Sequence, residues 1–206
     1  MKKNRMNKLL PFILVILIAF ACGERKQPLR GETPFQKELN AKFKDATVSP
    51  LTDKDRKAFK GLDFFKFDST YIVKAHLKQT PDTDWFNMQT TTSRVSKERV
   101  FGVLSFKLLG NVYQLNVYQG ADTMLEAGYE DYLFLPFLDE TNGKESYGGG
   151  RYIDLRIPEG DSLVIDFNKA YNPYCAYNPS YSCPIVPREN YLKIRVEAGV
   201  KAFKEH

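Results

Sequence analysis

The sequence predicts a mainly β protein: a single antiparallel β-sandwich or barrel-like domain preceded by one or two short N-terminal helices. Three observations carry this reading. Between residues 62 and 198, roughly eight stretches rich in β-branched and aromatic residues recur, several of them alternating apolar and polar at period two, as strands with one buried face do. Close turns marked by Gly, Pro, Asn and Asp separate them. The chain of 206 residues is 43% apolar, without internal repeat or low-complexity tract, which is enough to bury a core and excludes a disordered chain.

The N-terminus reads as an address. Lys2, Lys3, Arg5 and Lys8 form a positive segment with no acidic residue, and Leu9 to Phe20 is apolar, the length of a secretory h-region and short for a membrane span. Small residues Ala19 and Ala21 flank Phe20, and Cys22 follows, an order that resembles a bacterial lipobox. The expectation is a signal peptide over 1–21, acylation of Cys22, and an outer-membrane lipoprotein of the cell envelope anchored to the bilayer by palmitate-type chains. Gly23 stands where an inner-membrane retention Asp would be. An uncleaved anchor helix is the competing reading. Residues 22–34 are a polar, Gly- and Pro-containing tether.

Residues 35–61 read as a helical flap. Phe35, Leu39 and Phe43 recur every four residues among polar ones, with Thr33 as cap and Pro34 at the first helical position. Ser49-Pro50 breaks that helix, and Thr52 to Lys60 suits a second short one, closed by Gly61. The β-domain then spans 62–206. Its first strand, Tyr71 to Lys78, alternates Val73, Ala75 and Leu77 against Lys74, His76 and Lys78. Further strands are expected over 86–92, 100–109, 112–118, 131–137, 151–157, 162–167 and 191–196. Gly110-Asn111 is a two-residue hairpin signal, and Pro158 to Asp161 is another turn.

Two segments concentrate the polar chemistry. In the first, 139–154, Tyr147 precedes Gly148, Gly149 and Gly150, and Arg151 follows. Such a run frees the backbone for positive φ and can present N–H groups to an anion, with Arg151 as a bidentate grip on carboxylate or phosphate. The competing reading is a bulged turn with Arg151 paired to Asp139, Glu145 or Asp154. No P-loop or Rossmann pattern follows. The second, 171–190, is a long Pro- and Asn-rich loop with Tyr171, Tyr174, Tyr177 and Tyr181. Its tyrosines either stack on a sugar or other planar ligand, or clamp the loop to the sheet. Candidate binding residues are Arg151, Gly148, Gly149, Gly150, Tyr147, Asn172, Tyr174, Tyr177, Asn178, Glu189 and Asn190.

With Cys22 taken by lipid, Cys175 and Cys183 remain, and an oxidising compartment favours their pairing as a disulfide over free thiols. A C-x7-C pair without a nearby His lacks the rest of a zinc set, so no metal is expected, and no cofactor.

The stretches PFLDETNGKESYGGGRYIDL and DFNKAYNPYCAYNPSYSCPIVPRENYL resemble the hallmark segments of the bacterial domain-of-unknown-function family 1684, over about residues 45–204. The resemblance implies that both segments belong to one unit, and that lipoproteins occur among the members. It implies no activity and no residue role.

Three functions follow as alternatives. A binding module would use the 139–154 turn and the 171–190 loop for a small or extended ligand, a glycan among them. A hydrolase would use a carboxylate pair drawn from Asp139, Glu145 and Asp154, with Asp166 or Glu189 as further partners. A structural adaptor would show a flat apolar patch. His76 lies mid-strand, where a solvent-facing or hydrogen-bonded role is expected, and there is no HExxH or GxSxG. The formal charge of +5 does not indicate nucleic acid: four of the 30 basic residues lie in 1–21, leaving 26 against 25 acidic ones.

Overall fold

In the computed structural model, residues 31–203 are described. The signal segment, the lipobox with Cys22 and most of the tether lie outside them. Helix α1 spans Pro34–Lys44, and α2 spans Asp53–Ala58. Thr33 caps α1 in a reciprocal box with Gln36, and Pro34 opens the first turn, as the sequence indicates. Phe43 is buried against Phe59 and Tyr177. Asn40, also buried, accepts from the Leu62 N–H at 2.7 Å and so ties the helix to the entry of the β-domain.

The strands are β1 (Ile72–Gln79), β2 (Phe86–Gln89), β3 (Val95–Leu108), β4 (Asn111–Gly120), β5 (Tyr132–Asp139), β6 (Arg151–Arg156), β7 (Ser162–Asp166) and β8 (Tyr191–Leu192). They form one sheet in the order β6-β5-β4-β3-β1-β7, with β2 on β3 and β8 on β5. All pairings are antiparallel except the two-residue β8 on β5. The sheet curls until β6 and β7 come into contact, so the barrel-like alternative holds and the two-sheet sandwich does not. β1 alternates as its sequence dictates, with Val73, Ala75 and Leu77 buried. Its outward His76 is mostly exposed, 3.6 Å from Asp161. The concave face closes on Leu104, Leu115, Val117, Leu133, Leu135, Phe137 and Ile165, all almost fully buried.

Besides a second helix and a β2 that end earlier than expected, three elements differ from the sequence reading. The β3–β4 hairpin turns on Leu109-Gly110 rather than Gly110-Asn111. Leu108 pairs with Asn111, and both turn residues have positive φ, 47° and 89°. This geometry follows the twist of the strands and overrides the poor fit of Leu to left-handed backbone. β3 is longer than expected and absorbs a bulge between Val100 and Gly102. The last strand shrinks from 191–196 to Tyr191–Leu192, because beyond it the backbone serves buried side chains instead of a ladder. The Val196 N–H reaches Asp139, and the Val196 and Ala198 carbonyls accept from Arg151.

β5 is buried on both faces. Leu133, Leu135 and Phe137 enter the main core, while Phe134 faces a second cluster with Tyr118, Tyr152 and Val186. The 171–190 loop supplies that outer cover. Its anchor is Asn190, which has no exposed surface and sits between β4 and β5. Its side chain accepts from the Asn116 N–H at 2.9 Å and donates to the Asn116 and Pro136 carbonyls at 2.8 and 2.6 Å. Pro136 has no N–H to offer β4, and the Asn190 amide completes the ladder in its place. Asn190, a candidate binding residue in the sequence, is placed here as a buried backbone anchor.

Asn190→Ala leaves three backbone groups without partners. Since each lost hydrogen bond is worth ~1 kcal/mol, urea unfolding should show a loss of about 2–4 kcal/mol. An unchanged midpoint would contradict this account.

Candidate functional site

The glycine-rich segment is consumed by its own architecture. Arg151 opens β6 pointing inward and has no exposed surface. Its Nη2 donates to Asp139 at 2.7 Å and to the Val196 carbonyl at 2.8 Å, and Nη1 donates to the Ala198 carbonyl. The guanidinium lies 5.2 Å from the Phe137 ring centroid and 5.7 Å from that of Phe65. Burial pulls its pKa down and Asp139 opposes that pull. Asp139 also accepts from the Thr141 and Val196 N–H groups at 2.8 and 3.2 Å.

Arg151 and Asp139 thus pair with each other in the interior, the structural alternative that the sequence also offers. Gly150 has φ +91°, and a Cβ there would stand 2.6 Å from Val186 and 2.7 Å from the Phe137 carbonyl. Its N–H bonds to the Tyr147 carbonyl at 3.2 Å, and Gly149 covers the Tyr147 ring. Gly150 is therefore closely packed, while Gly148 and Gly149 are exposed in the same turn. Glu145 pairs with Arg195 at 2.7 Å, and this hydrogen bond holds its carboxyl below the usual range.

The second segment reaches the same end of the sheet. Tyr171 exchanges backbone hydrogen bonds with Tyr152 at 2.9 and 3.0 Å. Their rings meet edge to face. Between this loop and α1 lies a cleft of about 460 Å³. Phe35, Glu38, Leu39, Lys42 and Phe43 line it from α1. Tyr152, Asp154, Tyr171, Asn172, Pro173, Tyr174 and Cys183 line the other side.

Asp154 is its chemical centre. Alternation along β6 turns it outward, while Ile153 and Leu155 face the core. The phenols of Tyr132 and Tyr171 both donate to its Oδ1, at 2.7 and 2.5 Å. Burial, followed by the carboxylate's charge for Tyr132 and by the neighbouring Tyr132 and that charge for Tyr171, raises both phenols far above the ordinary value, so they stay protonated donors. Asn172 is almost fully buried. Its Nδ2 donates to the Lys201 carbonyl at 2.8 Å and to Tyr177 Oη at 3.3 Å, while its Oδ1 has no partner.

Of the sequence-derived binding residues, Asn172 and Tyr174 line the cleft. Arg151, Gly148, Gly149, Gly150, Tyr147, Tyr177, Asn178, Glu189 and Asn190 do not. Tyr177 is buried against Phe43, and Asn178 caps a turn through the Ser180 N–H at 3.0 Å. Of the sequence-derived carboxylates only Asp154 is there, with Glu38 of α1 as a further one. Asp139 and Glu145 have other partners, so the expected acid–base pair is not assembled. Sequence reasoning did not connect Phe35, Glu38, Leu39 and Lys42 to the site. The four-residue spacing of Phe35 and Leu39 marks an apolar face, but nothing local says what that face covers.

Cys175 and Cys183, the expected pair, stand side by side here as free thiols. Instead of a bridge they share hydrogen bonds: the Cys175 N–H donates to Cys183 Sγ at 3.2 Å, and Tyr147 Oη lies 4.0 Å from Cys175 Sγ. Hydrogen bonding from Cys183 draws the Cys175 thiol down to about 6, and the same bond pushes Cys183 up. The described residues contain no group of three or more His, Cys, Asp or Glu placed to hold a metal.

Fold and cleft define a class: a single curled antiparallel sheet whose outer face is covered by a Pro- and Tyr-rich loop and whose open end is flanked by a helical flap. The chain belongs to the family described as "Protein of unknown function (DUF1684)", whose model matches residues 57–201. No curated protein matches it. A solution NMR structure of an uncharacterised protein from Haloarcula marismortui is 34% identical, covering 83% of this chain and 92% of that one, with a TM-score of 0.65. The match over 57–201 contains the loop side of the cleft, while α1 lies outside it.

Alkylation should report the thiol pair. Thiolate is the reactive form, so iodoacetamide labelling of Cys175 should rise through about pH 6 and level off above it. In Cys183→Ala the donor is lost, and the midpoint should move up toward an ordinary thiol, ~8.5. An unchanged midpoint in that variant would refute the pairing.

Proposed function

We propose that the protein is a membrane-anchored envelope lipoprotein, held by acylated Cys22, whose β-domain binds a small ligand in the cleft between α1 and the 171–174 turn. The observation that carries the binding reading is Asp154. It is a solvent-facing carboxylate with one oxygen fixed by two phenols, standing in an aromatic-walled cleft. Two donors converging on one carboxylate oxygen orient the group and leave Oδ2 for a ligand. The anchor rests on the positive segment, the apolar Leu9–Phe20 stretch and the small residues before Cys22. Within the described residues no helix is long and apolar enough to cross a membrane.

The binding reading is also favoured over hydrolysis. The carboxylates that the sequence offers as partners, Asp139 and Glu145, are each committed to an arginine elsewhere, and the second carboxylate of the cleft, Glu38, stands on α1 across from Asp154.

Two measurements test this. A thermal-shift panel of neutral, anionic and cationic small molecules on the full chain in detergent should yield ligands whose shift is lost in Asp154→Asn and in Tyr174→Ala. Hits unaffected by both substitutions would place binding elsewhere. Metabolic labelling with a palmitate analogue should mark the wild type and not Cys22→Ser; equal labelling would refute the anchor.

A further inference from the structure

Resting on that reading of the cleft, we infer that its ligand is a small organic cation, a protonated amine carrying an apolar or aromatic body.

Two of its polar groups are open acceptors. Among the described residues no group donates to Asp154 Oδ2, because both phenols are on Oδ1. Asn172 Oδ1 is more telling. The side chain is 1% exposed, and both of its amide hydrogen bonds run through Nδ2, which fixes the orientation and leaves the carbonyl oxygen without a donor. A buried acceptor left unpaired is costly, and Asn172 stands in the wall of the cleft. Two of its phenols are already engaged, Tyr171 donating to Asp154 and Tyr152 to the Pro184 carbonyl, which leaves Lys42 at the rim as the charged donor.

Charge and shape point the same way. The ionisable carboxylates and amines lining the cleft are Asp154, Glu38 and Lys42, a net charge of −1. Phe35, Phe43, Tyr171 and Tyr174 supply ring surface. The Tyr174 face already receives a cation, since Lys42 Nζ stands 5.5 Å from its centroid. Aromatic faces attract ammonium groups through the ring quadrupole. Lys42 is therefore a competitor at the rim: an incoming ammonium meets its charge and its place on the ring.

The test uses three probes of one shape, phenethylamine, 2-phenylethanol and phenylacetate, titrated into the full chain in detergent at neutral pH. The amine should bind at least about tenfold more tightly than the alcohol, the difference a charge-assisted hydrogen bond makes, and the acid should not bind. Asp154→Asn keeps an oxygen for the two phenols but removes the charge. It should cost the amine about tenfold and leave the alcohol unchanged. Lys42→Gln, at an exposed position, should strengthen amine binding severalfold.

If the alcohol binds as tightly as the amine, or the acid binds best, and Asp154→Asn changes either, the cation assignment falls while the cleft stands as a binding site. If none of the three binds and the wider panel yields no cleft ligand, both fall. Amine binding that is indifferent to both Asp154→Asn and Lys42→Gln would also overturn the assignment.

Discussion

The fold depends on one buried ion pair. Arg151 and Asp139 both lie in the interior, 2.7 Å apart. Removing two charges from water costs several kcal/mol for each, and a buried pair holds only when geometry and extra hydrogen bonds offset that cost. Here they do. Asp139 receives the guanidinium and two backbone N–H groups, while Arg151 serves two backbone carbonyls and lies near the Phe137 and Phe65 rings. The partners come from the end of β5, the start of β6 and the chain around residues 196–198. One interaction therefore fixes the turn between two strands and pins the C-terminal stretch over the core, where Val196, Ala198 and Val200 are fully buried.

The cleft is a consequence of that arrangement. With β5 and β6 joined through the 140–150 loop and the C-terminal stretch held beneath, the outer face of the same strands is left to the 171–190 loop. Tyr171 adds to β6 beside Tyr152, and Asn190 returns the chain between β4 and β5. The loop's two ends are thereby fixed, and its first residues stand next to the outward Asp154. Helix α1, held through Asn40 and Phe43, covers the far side. Interior chemistry stabilises the domain, and alternation along β6 delivers one carboxylate to the opposite face: Arg151 and Ile153 point in, Asp154 points out.

How much of this the sequence discloses varies by scale. Period-two alternation places β1 and β4 almost to the residue, and Thr33-Pro34 marks the start of α1, because those signals are local. The family is legible in the two long polar segments. The residue roles inside them are not. An Arg after three glycines reads equally as an anion grip or as a buried pair, and only the distance to Asp139, twelve residues away, decides. The 191–196 stretch alternates like a strand, yet its backbone bonds to side chains, a tertiary demand that overrides β-propensity. Tyr132, Tyr171 and Asp154 come from three separate elements, and Phe35 and Lys42 from a fourth, so no spacing in the chain announces that they share a site.

The central claim is that Arg151 is a structural cation rather than a ligand contact. Urea unfolding of Arg151→Met, compared with the wild type and with the double variant Arg151→Met/Asp139→Leu, tests it most directly. The single variant strands a buried carboxylate and should lose about 3–5 kcal/mol, while the double variant, with both charges gone, should recover much of it. A single variant within about 0.5 kcal/mol of wild type would contradict the claim, because surface positions behave that way and a buried ion pair does not.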